Sequence, residues 1–465
     1  GTMYYLDSDG SIYHFEKSGD TYVCKETKDL TLNDGSVKTP SGDTAASVKS
    51  TQIGEMSYSY KETIAEENIV KNRKHAYTIK DKKGVLYRFN KEGQLVAALD
   101  PDGTFLLYEY SADGRLKRVS SDALKTMELS YQKDSGLLEE ITLPDETKLC
   151  YTYSNGRLTE MSHCSKDGKA LISYAYGYDS DHLNSVTDGK AQKYTIAYNG
   201  EKVSAVTYPN GEKENWGYAG GKTTITKKAS DGTEVRMNSR EYDTKSGKVT
   251  KETEADGSVT TYTYGYAKNP YLVTKTTKQT GYEELNNGKV EWKTKESVTE
   301  TSYDEQENII SETEEDGTKT EYTYDTTSEW TEDQPKTEVV TKGETVISKE
   351  SYTYNKTGNL KKEEESGDPS NKSITENTYD GDGNVLESTT TVAGIETSKM
   401  TSKYDLSGNA TESATTSGDV ESQEKNTYDV MGRVTKKTDP DTGEVTEYTY
   451  DELGRQIKSV STLNG

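Results

Sequence analysis

The sequence predicts an all-β protein, built of tandem β-hairpins joined into one long, coiled antiparallel sheet. Three observations carry the prediction. First, a tyrosine-headed turn returns throughout: the heads stand at 89 (a phenylalanine), 110, 131, 153, 178, 198, 218, 242, 264, 303, 324, 354, 379, 404, 428 and 450. Fourteen of the fifteen intervals are 20 to 30 residues, and a fixed period of that size marks a repeat architecture rather than a set of globular domains. Second, most intervals hold another turn halfway, such as Asp102-Gly103, Asp188-Gly189, Asn210-Gly211, Asp256-Gly257 and Asp316-Gly317. Asn-Gly and Asp-Gly suit the primed turns whose twist matches that of paired strands. Third, the stretches between turns alternate polar with apolar or aromatic residues, as a strand's period of two requires.

The repeat is clearest from Tyr428 to Arg455, YDVMGRVTKKTDPDTGEVTEYTYDELGR. Tyr428, Asp429, Gly432 and Arg433 head one copy, and Tyr450, Asp451, Gly454 and Arg455 the next. Glycine reaches positive φ without a Cβ clash, and the aspartate can close the turn by accepting from N–H groups two residues on. A small apolar residue often follows two positions after the glycine, as at Leu95, Leu116, Leu158, Leu360, Val385 and Val434. Glu307 stands where Tyr303-Asp304 leads one to expect glycine.

Taken in order, residues 1–76 read as an N-terminal hairpin prelude with an irregular segment; Asp9-Gly10 and Asp34-Gly35 are its turns. Ile64–Lys74 has some helix propensity but poor apolar spacing, and reads as a loop or ragged strand. Residues 77–465 read as one continuous array, with an enlarged hairpin at 271–303 turning at Asn287-Gly288. Its strands of about fourteen residues are expected to overhang the sheet by about 15–20 Å. Sixteen repeats of two strands make a ribbon of roughly 150 Å. Open sheets seldom exceed ~10 strands without curling, so the ribbon must coil around a solvent-filled space.

Composition agrees. Hydrophobic residues make up 30%, against roughly 45–50% in ordinary globular domains, so there is too little Leu, Ile, Val and Phe for several dry cores. Yet 36 tyrosines and many Thr-x-Thr and Tyr-x-Tyr stretches argue for ordered strands over disorder. Doublets such as Tyr108/Tyr110, Tyr262/Tyr264 and Tyr448/Tyr450 suggest rings stacked from hairpin to hairpin. The net charge of −24 and pI near 4.8 exclude a basic nucleic-acid stripe. No stretch approaches the ~20 apolar residues of a membrane span. Gly1-Thr2-Met3 reads as a cloning scar, so the natural start and its targeting signal are expected to lie outside this sequence.

Signals of chemistry are sparse. His14, His75, His163 and His182 have no metal-ligand spacing, and adjacent His163 and Cys164 point to opposite faces of a strand. Asp7-x-Asp9-Gly10 and Asp380-x-Asp382-Gly383 start like calcium loops but lack the bidentate glutamate, and serve better as turns. Cys24, Cys150 and Cys164 make no disulfide framework; unpaired buried thiols are the expectation, with a Cys150–Cys164 bond, leaving Cys24 odd, as the alternative if their hairpins are neighbours. No catalytic residue, metal or cofactor is expected. Trp216, Trp292 and Trp330, read as exposed, and Tyr282 on the enlarged hairpin are the candidate ligand or partner contacts, although filling gaps in the tyrosine ladder is the simpler use of the tryptophans.

The Tyr-Asp-x-x-Gly-Arg turns at Tyr428–Arg433 and Tyr450–Arg455, with Tyr-Ser-x-x-Gly-Arg-Leu at Tyr110–Leu116, resemble the YD repeats of the Rhs family, over roughly residues 77 to 465. The resemblance implies a hollow shell of hairpins. It also implies kinship with polymorphic bacterial toxins, insecticidal toxin-complex shells, teneurins and wall-associated proteins of Gram-positive bacteria. In the toxin members the shell encloses a C-terminal effector and ends in a core segment with Gly-Arg-Phe and Asp-Pro-x-Gly patterns, which this sequence lacks. The expectation is therefore a non-enzymatic scaffold from a secreted or cell-surface bacterial protein, of suspected Gram-positive origin. Its partner would be the remainder of its own polypeptide, as enclosed or displayed effector or cap. The alternative is an adhesion module for a cell-surface glycan or protein.

Overall fold

The computed structural model describes residues 2–6, 12–18, 21–24, 30–34, 44–53, 56–65, 76–81, 83–123, 125–286, 289–325, 331, 333–366 and 371–463; the side chains at 2, 21, 31, 33–34, 44–65, 236, 290 and 292 lie outside the description. No α-helix occurs among these residues. Thirty-nine strands run from Thr2–Leu6 to Gln456–Leu463, and 37 of them form one antiparallel sheet. Each strand pairs with its predecessor and its successor. The exception is one crossover, where Leu30–Asp34 pairs with Tyr77–Asp81 and the hairpin Thr44–Ile53/Met56–Ala65 stands apart as a separate two-stranded sheet. The prelude strands thus continue into the array as one sheet. Residues 66–74 of the ragged segment lie outside the described residues.

Among the described residues, apolar burial lies in the first quarter of the chain, apart from Cys164. Phe15, Cys24, Leu32 and Ile79 make one cluster, and Leu86, Ala97, Leu99 and Phe105 another. Farther along, most buried side chains are short and polar, including Thr147, Ser162, Ser185, Ser239, Ser258, Asn308 and Ser402. The wall is held by its ladders and turns, because the composition supplies no second dry layer.

One departure from regular pairing recurs. At fifteen of the sixteen repeat heads the register slips by one residue immediately before the aromatic residue, as between Thr427/Tyr428 and Thr449/Tyr450; Tyr218 is the exception. A bulge bends its strand and increases the local right-handed twist. Placed at the same edge of every repeat, the bulges give a long ribbon a consistent curl.

The ribbon returns over itself. A Cβ added at Gly383 would lie 2.5 Å from Oδ2 of Asp102, a residue of the far earlier part of the chain. Arg433 likewise approaches Asp145 at 4.0 Å. The Lys166 ammonium, held above its usual range first by its bond to Glu146 at 2.8 Å, also feels the Glu452 carboxylate from a similar stretch of sequence away. In each case the two turns are separated by the same 23 strands: the turns before the tenth, fourteenth and sixteenth strands meet those before the thirty-third, thirty-seventh and thirty-ninth. At ~4.8 Å per strand one winding is roughly 110 Å around, or about 35 Å across.

The cysteines follow the alternative that the sequence left open, and not the unpaired thiols expected first. Cys150 and Cys164 form a disulfide across the hairpin Lys148–Ser154/Arg157–Cys164, with Cα atoms 6.5 Å apart. In the register Cys150 faces Ser162 and Cys164 faces Lys148, which puts the two sulfurs on one face two positions apart. Their separation along the chain does not reveal that phase, since a slip of one residue would send them to opposite faces.

Candidate functional site

The residues that recur as a unit are the repeat heads, and the structure shows why each is needed. Asp429 Oδ1 accepts from the N–H groups of Met431 and Arg433 at 3.0 Å each, while Oδ2 accepts from Arg433 Nε at 2.6 Å. Asp451 makes the same three bonds with Leu453 and Arg455 at 3.0, 2.9 and 2.7 Å. Where the last position is asparagine the pattern persists: Asn384 Nδ2 bonds Asp380 Oδ2, and Asn409 Nδ2 bonds Asp405 Oδ2, both at 2.9 Å. Asp380 and Asp382 therefore belong to a turn, since Asp380 Oδ1 is taken by the N–H groups of Asp382 and Asn384 at 2.9 Å. Gly432 and Gly454 have φ of 82° and 78°, and Glu307 adopts 68° in the same role.

The tyrosine hydroxyls form a ladder. Tyr450 donates to Val434 O at 2.7 Å, Tyr428 to Ala410 O at 2.6 Å, and Tyr404 to Val385 O at 2.8 Å. In all, twelve heads make this bond, at 2.5–3.0 Å. Most often the acceptor is the carbonyl of the residue two places after the preceding repeat's turn glycine, which gives the recurrent apolar position its structural context. The stacked-ring ladder expected from the Tyr doublets is replaced by this one. Heads on the same edge occupy every second strand, roughly 9.6 Å apart, beyond the 4.5–7 Å reach of ring pairs. A hydroxyl on the intervening strand's carbonyl spans that gap. Burial pushes the Tyr324 and Tyr354 phenols up to about 12, with nearby carboxylates adding to it. Tyr262 reaches about 12 chiefly because its hydroxyl is bonded to Glu252, at 2.6 Å.

A second ladder runs through the last turn residue. Arg433 lies over the Tyr450 ring at 5.1 Å, and its Nη1 is 2.8 Å from where a Cβ on Gly454 would stand. Arg115 repeats both contacts on Tyr131 and Gly136. Gln94 donates to Gly114 O at 2.8 Å, and Asn384 and Asn409 crowd Gly408 and Gly432. Successive repeats thus grip one another at ring, carbonyl and glycine, the nearest-neighbour coupling of a one-dimensional array.

The candidate ligand contacts are dispersed. Trp216 lies half-buried in the strand Lys213–Ala219, its indole nitrogen enclosed with no hydrogen-bond partner, which is not the exposed stacking platform expected of it. Trp330 lies outside the described residues; Trp292 pairs in register with Glu283, and its side chain is likewise outside them. Tyr282 is 43% exposed on the enlarged hairpin Val273–Asn286/Lys289–Tyr303. The neighbouring strands stop pairing at Gln279 and Thr299, so about seven residues of the first arm and ten of the second stand beyond their neighbours, an overhang of roughly 23 Å on the shorter side.

Among the described residues no set of three or more His, Cys, Asp or Glu side chains could hold a metal ion. His163 Nε2 is 3.0 Å from Thr147 Oγ1 and His182 Nε2 3.2 Å from Glu201, while Cys164 is spent in the disulfide. The hollow of about 230 Å³ between the strands Ile395–Tyr404, Ala410–Ser417 and Val420–Tyr428 is lined by Lys403, Glu412 and Lys425. Those three pair among themselves, at 2.6 and 3.3 Å to Glu412. Among the described residues no helix is long and apolar enough to cross a membrane.

Comparison with known proteins follows the same lines. Residues 35–181 match the Teneurin YD-shell family model, and residues 428–465 match the RHS Repeat model. Those two stretches are therefore similar to YD-shell and RHS repeats. Among solved structures, TcdB2-TccC3 aligns over 100% of this chain and 25% of its own, at 13% identity and a TM-score of 0.55. TcdB2-TccC3-Cdc42 aligns over 100% and 24% at 12% identity, also with a TM-score of 0.55. TcdB2-TccC3 without its hypervariable C-terminal region aligns over 99% and 25% at 12% identity, with a TM-score of 0.53. The chain thus spans about a quarter of these structures and shares their fold. No curated protein matches it by sequence.

Proposed function

We propose that this chain of YD and RHS repeats is non-enzymatic shell wall from a secreted bacterial protein, scaffolding, enclosing or displaying another part of its own polypeptide. The observation that carries this reading is the coiled 37-strand sheet whose windings meet turn against turn. Such a wall surrounds space without filling it, and its side chains are committed to neighbouring repeats instead of converging on a reaction centre. The fold shared with TcdB2-TccC3, solved also without its hypervariable C-terminal region, supports the same role. The full natural polypeptide, digested with a protease under native conditions, tests it. Segments beyond the repeats should resist cleavage while the wall is intact and be cut once it is denatured. Cleavage of those segments at equal rates in both states would overturn the enclosing role.

The overhanging hairpin supports a second reading, in which an exposed part of the wall contacts a partner protein or glycan. Tyr282 and Leu285, 43% and 71% exposed, stand on it beyond the sheet. Binding to a glycan array or to cell surfaces that is lost on deleting residues 280–296 would favour adhesion, and undiminished binding would discard it.

A further inference from the structure

The windings meet along a seam of a different kind from the rest of the sheet. Within a winding, strands share continuous ladders of backbone hydrogen bonds. Across the seam, among the described residues, no backbone hydrogen bond links the facing turns. What meets there is charged: Asp145 lies 4.0 Å from Arg433, Asp102 stands against the Asp382-Gly383 turn, and the Glu452 charge reaches the Lys166 ammonium, whose own ion pair is with Glu146 at 2.8 Å. The second of these opposes two acids. Burial holds the Asp102 carboxyl above the usual carboxylate range, and the charges of Asp100 and Asp382 raise it further. Two attractions and one repulsion, set in polar turns, make an interface governed by charge and not by apolar burial.

We propose that this seam is an electrostatic latch, and that the final eight strands, from Ser373 to Leu463, are a flap that lifts from the winding they meet without unfolding its repeats. The physical basis is the difference in kind between the two interfaces. Exposed ion pairs contribute little and are screened by salt, whereas a strand buried in a ladder loses many hydrogen bonds if it leaves. Opening the seam exposes only polar turns to water. It also leaves the tyrosine and arginine ladders intact, because both run along the ribbon and never across the seam. A wall built this way opens sideways, between windings, and gives the enclosed space an exit that costs no strand pairing. The proposal rests on the coiled-wall reading above, but it concerns the seam alone.

Zero-length carbodiimide cross-linking read by mass spectrometry tests it on the intact chain. In low salt a link between Lys166 and Glu452 is expected, beside the in-sheet link between Lys403 and Glu412. At ~1 M salt, where the Debye length falls to about 3 Å, the first should drop about tenfold or more relative to the second, with an unchanged β-type circular dichroism signal. Glu452→Lys should lose the seam contact in low salt, seen as increased hydrogen exchange at the Asp102 and Asp145 turns. Lys166→Glu combined with Glu452→Lys should restore protection. Retention of the Lys166–Glu452 link in high salt, or its loss only together with the β signal, would overturn the latch. The first outcome would mean a seam not set by charge, and the second a seam that is one cooperative unit with the ladders. A chain that forms the Lys403–Glu412 link in low salt, but shows neither the Lys166–Glu452 link nor protection at the Asp102 and Asp145 turns, would overturn the coil itself.

Discussion

The hydroxyl of Tyr450 donates to the carbonyl oxygen of Val434 at 2.7 Å, bridging from one repeat head to the strand that leaves the previous one. Arg433, next to that acceptor, lies over the ring of the same Tyr450 at 5.1 Å. Two adjacent residues of one repeat thus hold the ring and hydroxyl of the next, which makes Tyr450 the place to measure coupling between repeats.

Tyr450→Phe removes one hydrogen bond and should destabilise by about 0.5–1.5 kcal/mol. Tyr450→Ala also removes the ring and should cost about 3–5 kcal/mol. Arg433→Ala should lower stability further than its exposed charge suggests, and its cost should shrink in the Tyr450→Ala background. Urea midpoints for the two single variants and the double variant give the coupling. Equal midpoints for the two Tyr450 variants would remove the ring from the account.

Gly432 and Glu307 fill the same turn position, with φ of 82° and 68°. Gly432→Val should cost well over 1 kcal/mol, roughly, since a β-branched residue at positive φ is strained and Asn409 Oδ1 stands 3.2 Å from the new Cβ. Glu307→Gly should instead stabilise, by up to about 1 kcal/mol, as the left-handed strain is relieved. Thermal unfolding of the two variants should move in opposite directions.

Acid should loosen the turns before the strands. Asp451 is held below the usual carboxylate range first by the Arg455 N–H, and Asp439 first by the Thr442 N–H. A depressed carboxyl adds stability that is complete above its unfolded value of 3.8 and is lost as pH falls below it. Hydrogen exchange at residues 439–444 and 451–455 should therefore rise below about pH 4. Flat exchange down to about pH 2 would remove these carboxylates from the stability of the turns.

Alkali acts through the tyrosines with the opposite sign. Tyr324 and Tyr354, raised to about 12, favour the protonated phenol in the folded wall. Their contribution is complete below the unfolded value of 10 and is lost as pH rises from 10 through 12. Phenolate absorbance should lag behind free tyrosine across that window and then rise together with loss of the β signal.

Cys150→Ser with Cys164→Ser should lower stability by about 2–3 kcal/mol, the loop-closure contribution of a short hairpin bridge. Reducing agent should reproduce the loss in the parent protein and leave the double variant unchanged.

The amino-acid sequence by itself determined the all-β class, the repeat spacing, the turn positions and the long hairpin, because each is local. A turn's aspartate, its glycine and the alternation of flanking residues act within a few positions of one another. The curl was legible too, as a necessity, since a ribbon of that length cannot stay open and flat. Hidden from the sequence was that the tyrosine hydroxyl, rather than the ring face, joins successive repeats. That depends on the spacing of two strands between heads, which only pairing creates. The bond between Cys150 and Cys164 was hidden for the same reason, since the register of one hairpin decides which residues share a face. The enclosed indole of Trp216 could not be told from an exposed one without its neighbours. Most of all, Asp102 and Gly383, or Asp145 and Arg433, carry no mark in the sequence that they meet. Their contact is set by the curvature summed over 23 strands and by a bulge at nearly every repeat, and only the folded ribbon carries out that summation.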